Sequence, residues 1–494
     1  MNHGPAALHQ SNTPPLTAAA STQLVVDLRA ALGDDAVVTG AAIAERTVHM
    51  WSRRPVQALA IVRPRSTQQM ATAMRLCHAV GQPMVAQGGR TGLTESHHTQ
   101  AHEIVLSLER MNQIEEIDPI DRTMIVQSGA ILENLQQAAD AAGLLLPLDL
   151  GGRGSCTIGG NISTNAGGNR VIRYGMTRDS VLGLEVVLAD GTVLSSMNRM
   201  IKNNAGYDLK QLFVGTEGTL GIVTRAVLRL REKPRSQDTM LLALADFAAV
   251  TALLKRADGA LGGMLSAYEV LWNDFYCLTT TAPAPHTPPL PQNHAFYVLL
   301  ETMGGDAATD RTRIESLLEG ALEDGLIADA VLAENEAQRR SIWAIRDDVG
   351  QANRFTPMVA FDVSLRISAM DAYVAQVKAN LQQRFPGSHH VFTFGHIADG
   401  NIHFAISVGD ASSVAREGIE LSVYEPLRAI GGSVSAEHGI GLEKKAYLPM
   451  CRSEAEFSTM RLLKRALDPK GLLNPGKIFD MDAGAAPAGG VAGG

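Results

Sequence analysis

This chain of 494 residues has no CxxC pair; its four cysteines, Cys77, Cys156, Cys277 and Cys451, are scattered. That argues against an iron–sulfur cluster and a disulfide framework, and it fits a reducing compartment. Long apolar runs are missing too, and none approaches the ~20 residues of a membrane-spanning helix. The opening MNHGPAALHQSNTPPL lacks the basic-then-apolar order of a secretion signal. The expectation is a cytoplasmic protein without a transmembrane span, peripheral membrane association being still allowed. Positive charge is short as well: 43 Lys and Arg face 51 Asp and Glu, a net −8, so no nucleic-acid footprint is expected. No GxGxxG opens a helix, and GxxxxGK[ST] and HExxH are absent, which removes the main support for Rossmann, P-loop and helical metalloprotease readings.

Hydrophobic content of 45% with 19% charged residues describes an ordinary globular chain, and its length allows more than one core. Short apolar runs at 58–62, 83–86 and 104–108 read as strands, with a helical pattern over 67–80 between the first two. A strand pair over 114–126, a helix over 131–142 and a hairpin around Asp190-Gly191 follow. The stretch 151–168, GGRGSCTIGGNISTNAGG, has too few apolar residues for a core element and reads as a long functional loop. From Thr239 the pattern becomes strand, helix, strand, helix, with a proline-rich excursion over 281–292 and a last helix over 454–467.

Three glycine loops, 87–93, 151–168 and 215–222, stand in the first half of the chain. Glycine lets backbone N–H groups approach a phosphate, and three such loops favour one large ligand lying across the domain. PMVAQGGRTGL, then PLDLGGRGSCTIGGNISTNAGG with RYG downstream, then NNAGYDLKQLFVGTEGTLGIVT resemble the FAD-binding domain of the vanillyl-alcohol oxidase and p-cresol methylhydroxylase (PCMH) superfamily. The resemblance implies an α+β protein: a PCMH-type FAD-binding domain, an α+β substrate (cap) domain, and a C-terminal helical segment returning to the flavin. Its expected boundaries are a flexible tail at 1–20, the FAD domain at 21–233, the substrate and metal domain at 234–450, the returning segment at 451–480, and a second flexible tail at 481–494. It also implies that Gly88, Gly89, Arg90, Thr91, Gly92 and Leu93 hold the pyrophosphate. Thr157, Gly160, Asn161, Asn165, Gly167 and Gly168 would line the flavin, and Gly221 and Ile222 would touch adenosine or ring atoms. Gln87, Gly151, Ser155, Gly175, Glu217 and Asn474 complete the expected contacts. The 87–93 loop has no His or Cys to attach the cofactor, so FAD is expected to be non-covalent, with Cys156 a buried structural thiol.

A second constellation lies in FGHIADGNIHF, over 394–404, and SAEHGIG, over 435–441. An Asp399-Gly400 turn can bring His396 and His403 to one place, and two imidazoles with a carboxylate suit a borderline divalent metal with open positions. GHIADGNIH and SAEHGIG resemble the C-terminal signatures of the D-lactate, D-2-hydroxyglutarate and glycolate dehydrogenases. By that resemblance His396, His403 and Glu437 ligate zinc or manganese, His438 faces the flavin as general base, and Arg346 clamps the substrate carboxylate. Where the 2-hydroxyglutarate members carry further polar residues for the distal carboxylate, this chain has Gly350, Ala360 and Ala405. Arg354 or Arg366 could hold a second carboxylate instead, so the expected substrate is D-lactate-like or D-2-hydroxyglutarate. The expected partners are a small 2-hydroxy acid and, as electron acceptor, a quinone or an electron-transfer flavoprotein; a homodimer is compatible. The alternative is a metal-independent flavoprotein oxidase of the same superfamily.

Overall fold

The computed structural model describes residues 15–49, 52 and 54–481. The expected tails therefore fall largely outside the described residues. Ala18–Ala20, expected in the flexible tail at 1–20, form the first turn of the helix Ala18–Leu32, whose buried Leu24, Leu28 and Leu32 recur every four residues.

Besides the two-stranded pair of Leu144–Leu145 with Arg231–Glu232, the first half holds two small sheets. One has the order Val37–Val38, Ala60–Val62, Ile104–Ser107, Met84–Gln87, with the last three strands parallel. Thr67–Val80 makes the crossover between two of them; Ser66 caps its start by accepting from Gln69 N, and Gly81, left-handed at φ 76°, ends it. The other sheet is antiparallel, in the order Ile114–Asp118, Thr123–Gln127, Ile222–Arg229, Val181–Val187, Val193–Ser196. The stretch 151–168 is not wholly loop, because Ile158–Thr164 is helical within it.

The second half is built on one seven-stranded antiparallel sheet. Its order is Asp329–Leu332, Ser236–Leu244, Phe296–Gly304, Leu265–Trp272, His390–His396, Asn401–Ser407, Val359–Ser364. Four long helices cover one face, contributing Val250, Ile314, Val374 and Ile419 to the largest core. The opposite face is covered by Asn273–Thr280 and Glu336–Asp347, through Phe275, Tyr276, Ile342 and Ile345. With both faces covered, the central strand Leu265–Trp272 is buried at every position.

Glu454–Leu467 then leads the chain back to the first sheet, where Leu473 bridges Met84 in parallel. Buried Lys464 fixes this return by donating to Thr219 O (2.7 Å), Leu473 O (2.8 Å) and Asp468 Oδ2 (2.5 Å). The architecture is the expected α+β arrangement. Among the described residues no helix is long and apolar enough to cross a membrane.

Candidate active site

Tight backbone approach shapes a cleft of about 790 Å³, open to solvent, in the first half. An added Cβ on Gly88 would stand 2.3 Å from Thr157 Oγ1, and one on Gly89 would stand 2.1 Å from Ser155 O. Only glycine allows the two loops to meet this closely. Of the expected cofactor contacts, Gly88, Gly89, Arg90, Thr91, Gly92, Thr157, Gly160, Asn161, Glu217, Ile222 and Asn474 line the cleft. Thr157 Oγ1 is buried there without a hydrogen-bond partner, a polar atom awaiting a ligand. Asn474 ties the returning segment to the cleft, accepting from Ala86 N (2.9 Å) and donating to Glu217 O.

The other expected contacts sit around the lining. Gly221 is packed against Val186 and Phe213, while Gly175 turns at φ 77° against the Asp179 side chain. Gln87 donates to His97 O at 3.0 Å, and Asn165 accepts from Arg178 N at 3.0 Å. Ser155 meets Gly89 through its carbonyl, Gly151 faces open space, and Gly167 and Gly168 face neighbouring elements. Leu93 is not in the lining either. Sequence reasoning passed over Ser96 and His97, which do line the cleft, and Cys156, expected as a buried structural thiol, lines it too. Burial and neighbouring His49 bring His97 down to about 3, so its ring is neutral; burial pushes the Cys156 thiol up.

The histidine cluster is assembled by strand register. His390–His396 and Asn401–Ser407 pair antiparallel across a tight turn in which Gly400 is left-handed at φ 92°. This places the His396 and His403 rings 5.2 Å apart. The next strands supply one buried acid to each: Glu269 lies opposite His396 and Asp362 opposite His403. Glu269 Oε1 is 2.5 Å from His396 Nδ1, and Asp362 Oδ1 is 4.0 Å from His403 Nδ1. Asp362 Oδ2 also accepts from the backbone N–H groups of Glu437 and His438, each at 2.9 Å, and stands 3.8 Å from His438 Nδ1. Lys444, equally buried, completes its surroundings at 3.5 Å. One carboxylate thus holds the loop that presents both Glu437 and His438.

Arg346, at the end of Glu336–Asp347, is 8% exposed, which excludes a solvated helix arginine. Its Nε donates to Glu269 Oε2 at 2.8 Å, its Nη2 is 3.0 Å from His396 Nε2, and its guanidinium stacks over Phe394 at 5.3 Å.

Donor atoms of His396, His403 and Glu437 lie within 4.8 Å of one another, and Asp362, His403 and His438 form a second such set. Burial opposes a charge on His396, but Glu269 outweighs it and raises the imidazole to about 9. Burial pushes Asp399 up to about 7 against the pull of His396, with Glu437 and Glu269 adding to the rise. Both values mark a site short of positive charge, which a divalent cation would supply. Burial, with His396 and Arg346 nearby, holds His403 well below its ordinary value and leaves it neutral, as a ligand must be. Burial works against ionising Asp362, yet His438, Lys444 and His403 hold its carboxyl far below the usual range. The donor set and its charge fit a divalent metal.

The cleft and the cluster share a wall. Gly168 N donates to Glu437 Oε1 at 2.5 Å, and Glu217 accepts from Ile440 N (2.7 Å) and Gly441 N (2.9 Å). Glu217 therefore lines the cleft while holding the loop just after His438.

Family models match both halves of the chain: the FAD binding domain over residues 58–196 and the C-terminal domain of FAD linked oxidases over residues 233–478. A D-2-hydroxyglutarate dehydrogenase of Xanthomonas citri pv. viticola is 41% identical over 439 residues, covering 87% of this chain and 91% of that protein. The mitochondrial D-2-hydroxyglutarate dehydrogenase of Bos taurus is 39% identical over 431 residues, covering 86% of this chain and 77% of that one. Among solved structures, p-cresol methylhydroxylase with substrate bound superimposes with a TM-score of 0.76 at 17% identity, over 94% of this chain and 98% of that one. An alkyldihydroxyacetonephosphate synthase gives 0.73 at 16% identity, over 96% and 86%. At such identity these two likenesses show the fold.

Proposed function

This chain belongs to the FAD-linked D-2-hydroxy acid dehydrogenases, and on that premise we propose that it oxidises a D-2-hydroxy acid to the 2-oxo acid with the help of a divalent metal, electrons leaving to a quinone or an electron-transfer flavoprotein. The observation that carries the reading is the shared wall, where a loop of the glycine-lined cleft touches Glu437 and the cleft residue Glu217 holds the amides just past His438. FAD, bound non-covalently along that cleft, supplies the acceptor for the hydride on C2. Zinc or manganese, held by His396, His403 and Glu437, supplies Lewis acidity at the 2-hydroxyl.

The remaining chemistry falls to side chains. Arg346 binds and orients the 2-carboxylate through the guanidinium edge that Glu269 leaves free. His438 takes the hydroxyl proton, and Asp362 beside it offsets the positive charge it gains. Lys444 stays committed to Asp362.

For the far end of the substrate, the relatives' names put D-2-hydroxyglutarate first in any trial. One observation favours a D-lactate-like acid as a second reading. Ala405, Ala360 and Phe392 occupy the next positions on the His403 face of the sheet, and none carries a charge. Arg354 is tied to Leu278 O and Gln351 O, and Arg366 is exposed beyond the opposite end of its strand.

Anaerobic mixing with D- and L-2-hydroxy acids tests the reading. A D-2-hydroxy acid should bleach the flavin, and a flavin bleached by no member of the panel refutes the activity. His438→Asn should keep FAD while slowing bleaching at least a hundredfold, the usual weight of a general base. Chelation should stop turnover and spare the flavin spectrum; full activity without metal would instead favour a metal-independent oxidase.

A further inference from the structure

We infer that Glu269 is a positioning residue that holds both the substrate clamp and a metal ligand, so that metal and carboxylate bind cooperatively. The inference rests on the metal and clamp roles proposed above and adds a coupling between them.

Glu269 lies in the buried strand Leu265–Trp272 with a side chain only 1% exposed, and each of its oxygens is committed to a different partner. Oε2 accepts from Arg346 Nε at 2.8 Å, and Oε1 is 2.5 Å from His396 Nδ1. In the neutral ring that a metal requires, donation of Nδ1–H to the carboxylate leaves the lone pair on Nε2, so Nε2 is the nitrogen a metal takes. That same Nε2 is 3.0 Å from Arg346 Nη2. A metal and a guanidinium N–H cannot both face Nε2, so a metal on His396 and the Arg346–His396 contact exclude each other.

The linkage follows. A metal on His396 frees the Nη edge of Arg346, which stays hinged on Glu269 through Nε, to receive a carboxylate. A carboxylate on that edge removes the competitor from His396. Each ligand must then raise the affinity of the other by the same factor. Asp347, 3.5 Å from Nη1 and with a side chain 39% exposed, is the other acid on this guanidinium and does not reach His396.

The test is a titration of FAD-loaded protein with Zn²⁺ or Mn²⁺, with and without propionate or glutarate. These carboxylates lack the 2-oxygen with which a 2-hydroxy acid would chelate the metal, and coupling that depends on Glu269 separates the route through the protein from direct coordination. Wild type should bind metal about fivefold or more tightly with the carboxylate present, the lower bound of ordinary allosteric coupling. Glu269→Gln should lower metal affinity by about 10–100-fold, as loss of a carboxylate behind a ligating histidine does. It should also reduce the coupling below twofold, by the same linkage, and raise the substrate KM more than it lowers kcat. Glu301→Gln is the control for loosening the helix, because Glu301 accepts from Trp343 Nε1 (2.9 Å) one turn before Arg346; it should keep the coupling. Metal binding without coupling in wild type, or coupling retained in Glu269→Gln, overturns the inference alone. A wild-type protein that binds no divalent metal overturns the metal reading and the inference with it.

Discussion

Replacing Gly89 with alanine should nearly abolish tight FAD binding while leaving the apoprotein folded. The new Cβ would lie 2.1 Å from Ser155 O and 2.9 Å from Cys156 Cα, where at least 3.0 Å is needed. The two loops must therefore part by about 0.9 Å, and both obstacles are backbone atoms that no rotamer can move aside. The segment pushed away leads into Thr157, whose buried hydroxyl faces the cleft. Hydrogen bonds to a charged ligand contribute about 1.5–3 kcal/mol each. Losing one or two of them weakens binding by about 3 kcal/mol, roughly two orders of magnitude. Titrating FAD into deflavinated protein, followed by flavin fluorescence, measures this directly. Another glycine calibrates it. Gly151→Ala lies outside the cleft lining, meets nothing within 4 Å and should change affinity less than about threefold. Gly89→Ala binding FAD within about threefold of wild type would show that the close approach of these loops does not build the cofactor site.

Lys464→Met should destabilise the protein by about 3–5 kcal/mol, because it leaves Asp468 buried without its cation. Denaturant unfolding would read the loss, and a change below about 1 kcal/mol would mean that the returning segment is held by other contacts. Asp362→Asn keeps the shape of the carboxylate but removes the charge facing His438 and Lys444, so flavin reduction at saturating substrate should fall at least tenfold with FAD retained. An unchanged reduction rate in stopped flow would rule out its part in charge balance. Burial pushes the Cys77 thiol up to about 12. Only about 0.01% of it is then thiolate at pH 8, so thiol reagents should label Cys77 only after unfolding. Rapid labelling of the native protein, located by peptide mass, would contradict its placement.

Where local chemistry decides the structure, the chain was readable. Thr67–Val80 is announced by the Ser66 cap and the Gly81 stop, Glu454–Leu467 by the box that Ser453 forms with Glu456, and the histidine turn by Asp399-Gly400. The helix Ile158–Thr164 was not readable, since two glycines near its start disfavour a helix on propensity alone. Tertiary packing overrides that preference: a Cβ on Gly159 would sit 2.5 Å from Ser128 Cβ, so this helix can dock only with glycine there.

The histidines were visible because they cluster in sequence, whereas Glu269 stands 127 residues from His396 and pairs with it only through strand register. In a pattern of apolar residues a lone acid looks like an interruption of SAYEVLW or VAFDVSL. Its energetics point the other way. A carboxylate in a strand covered on both faces is costly unless a cation or several donors meet it. Each such acid therefore predicts a partner elsewhere in the chain. Glu269 meets Arg346 and His396, Glu301 meets Trp343 and Arg170, and Asp362 meets Lys444 and two histidines. Two of these three acids back the histidine cluster. An acid in an apolar strand is thus a site signal in its own right, and here it marks the members of the cluster that motif reading passes over.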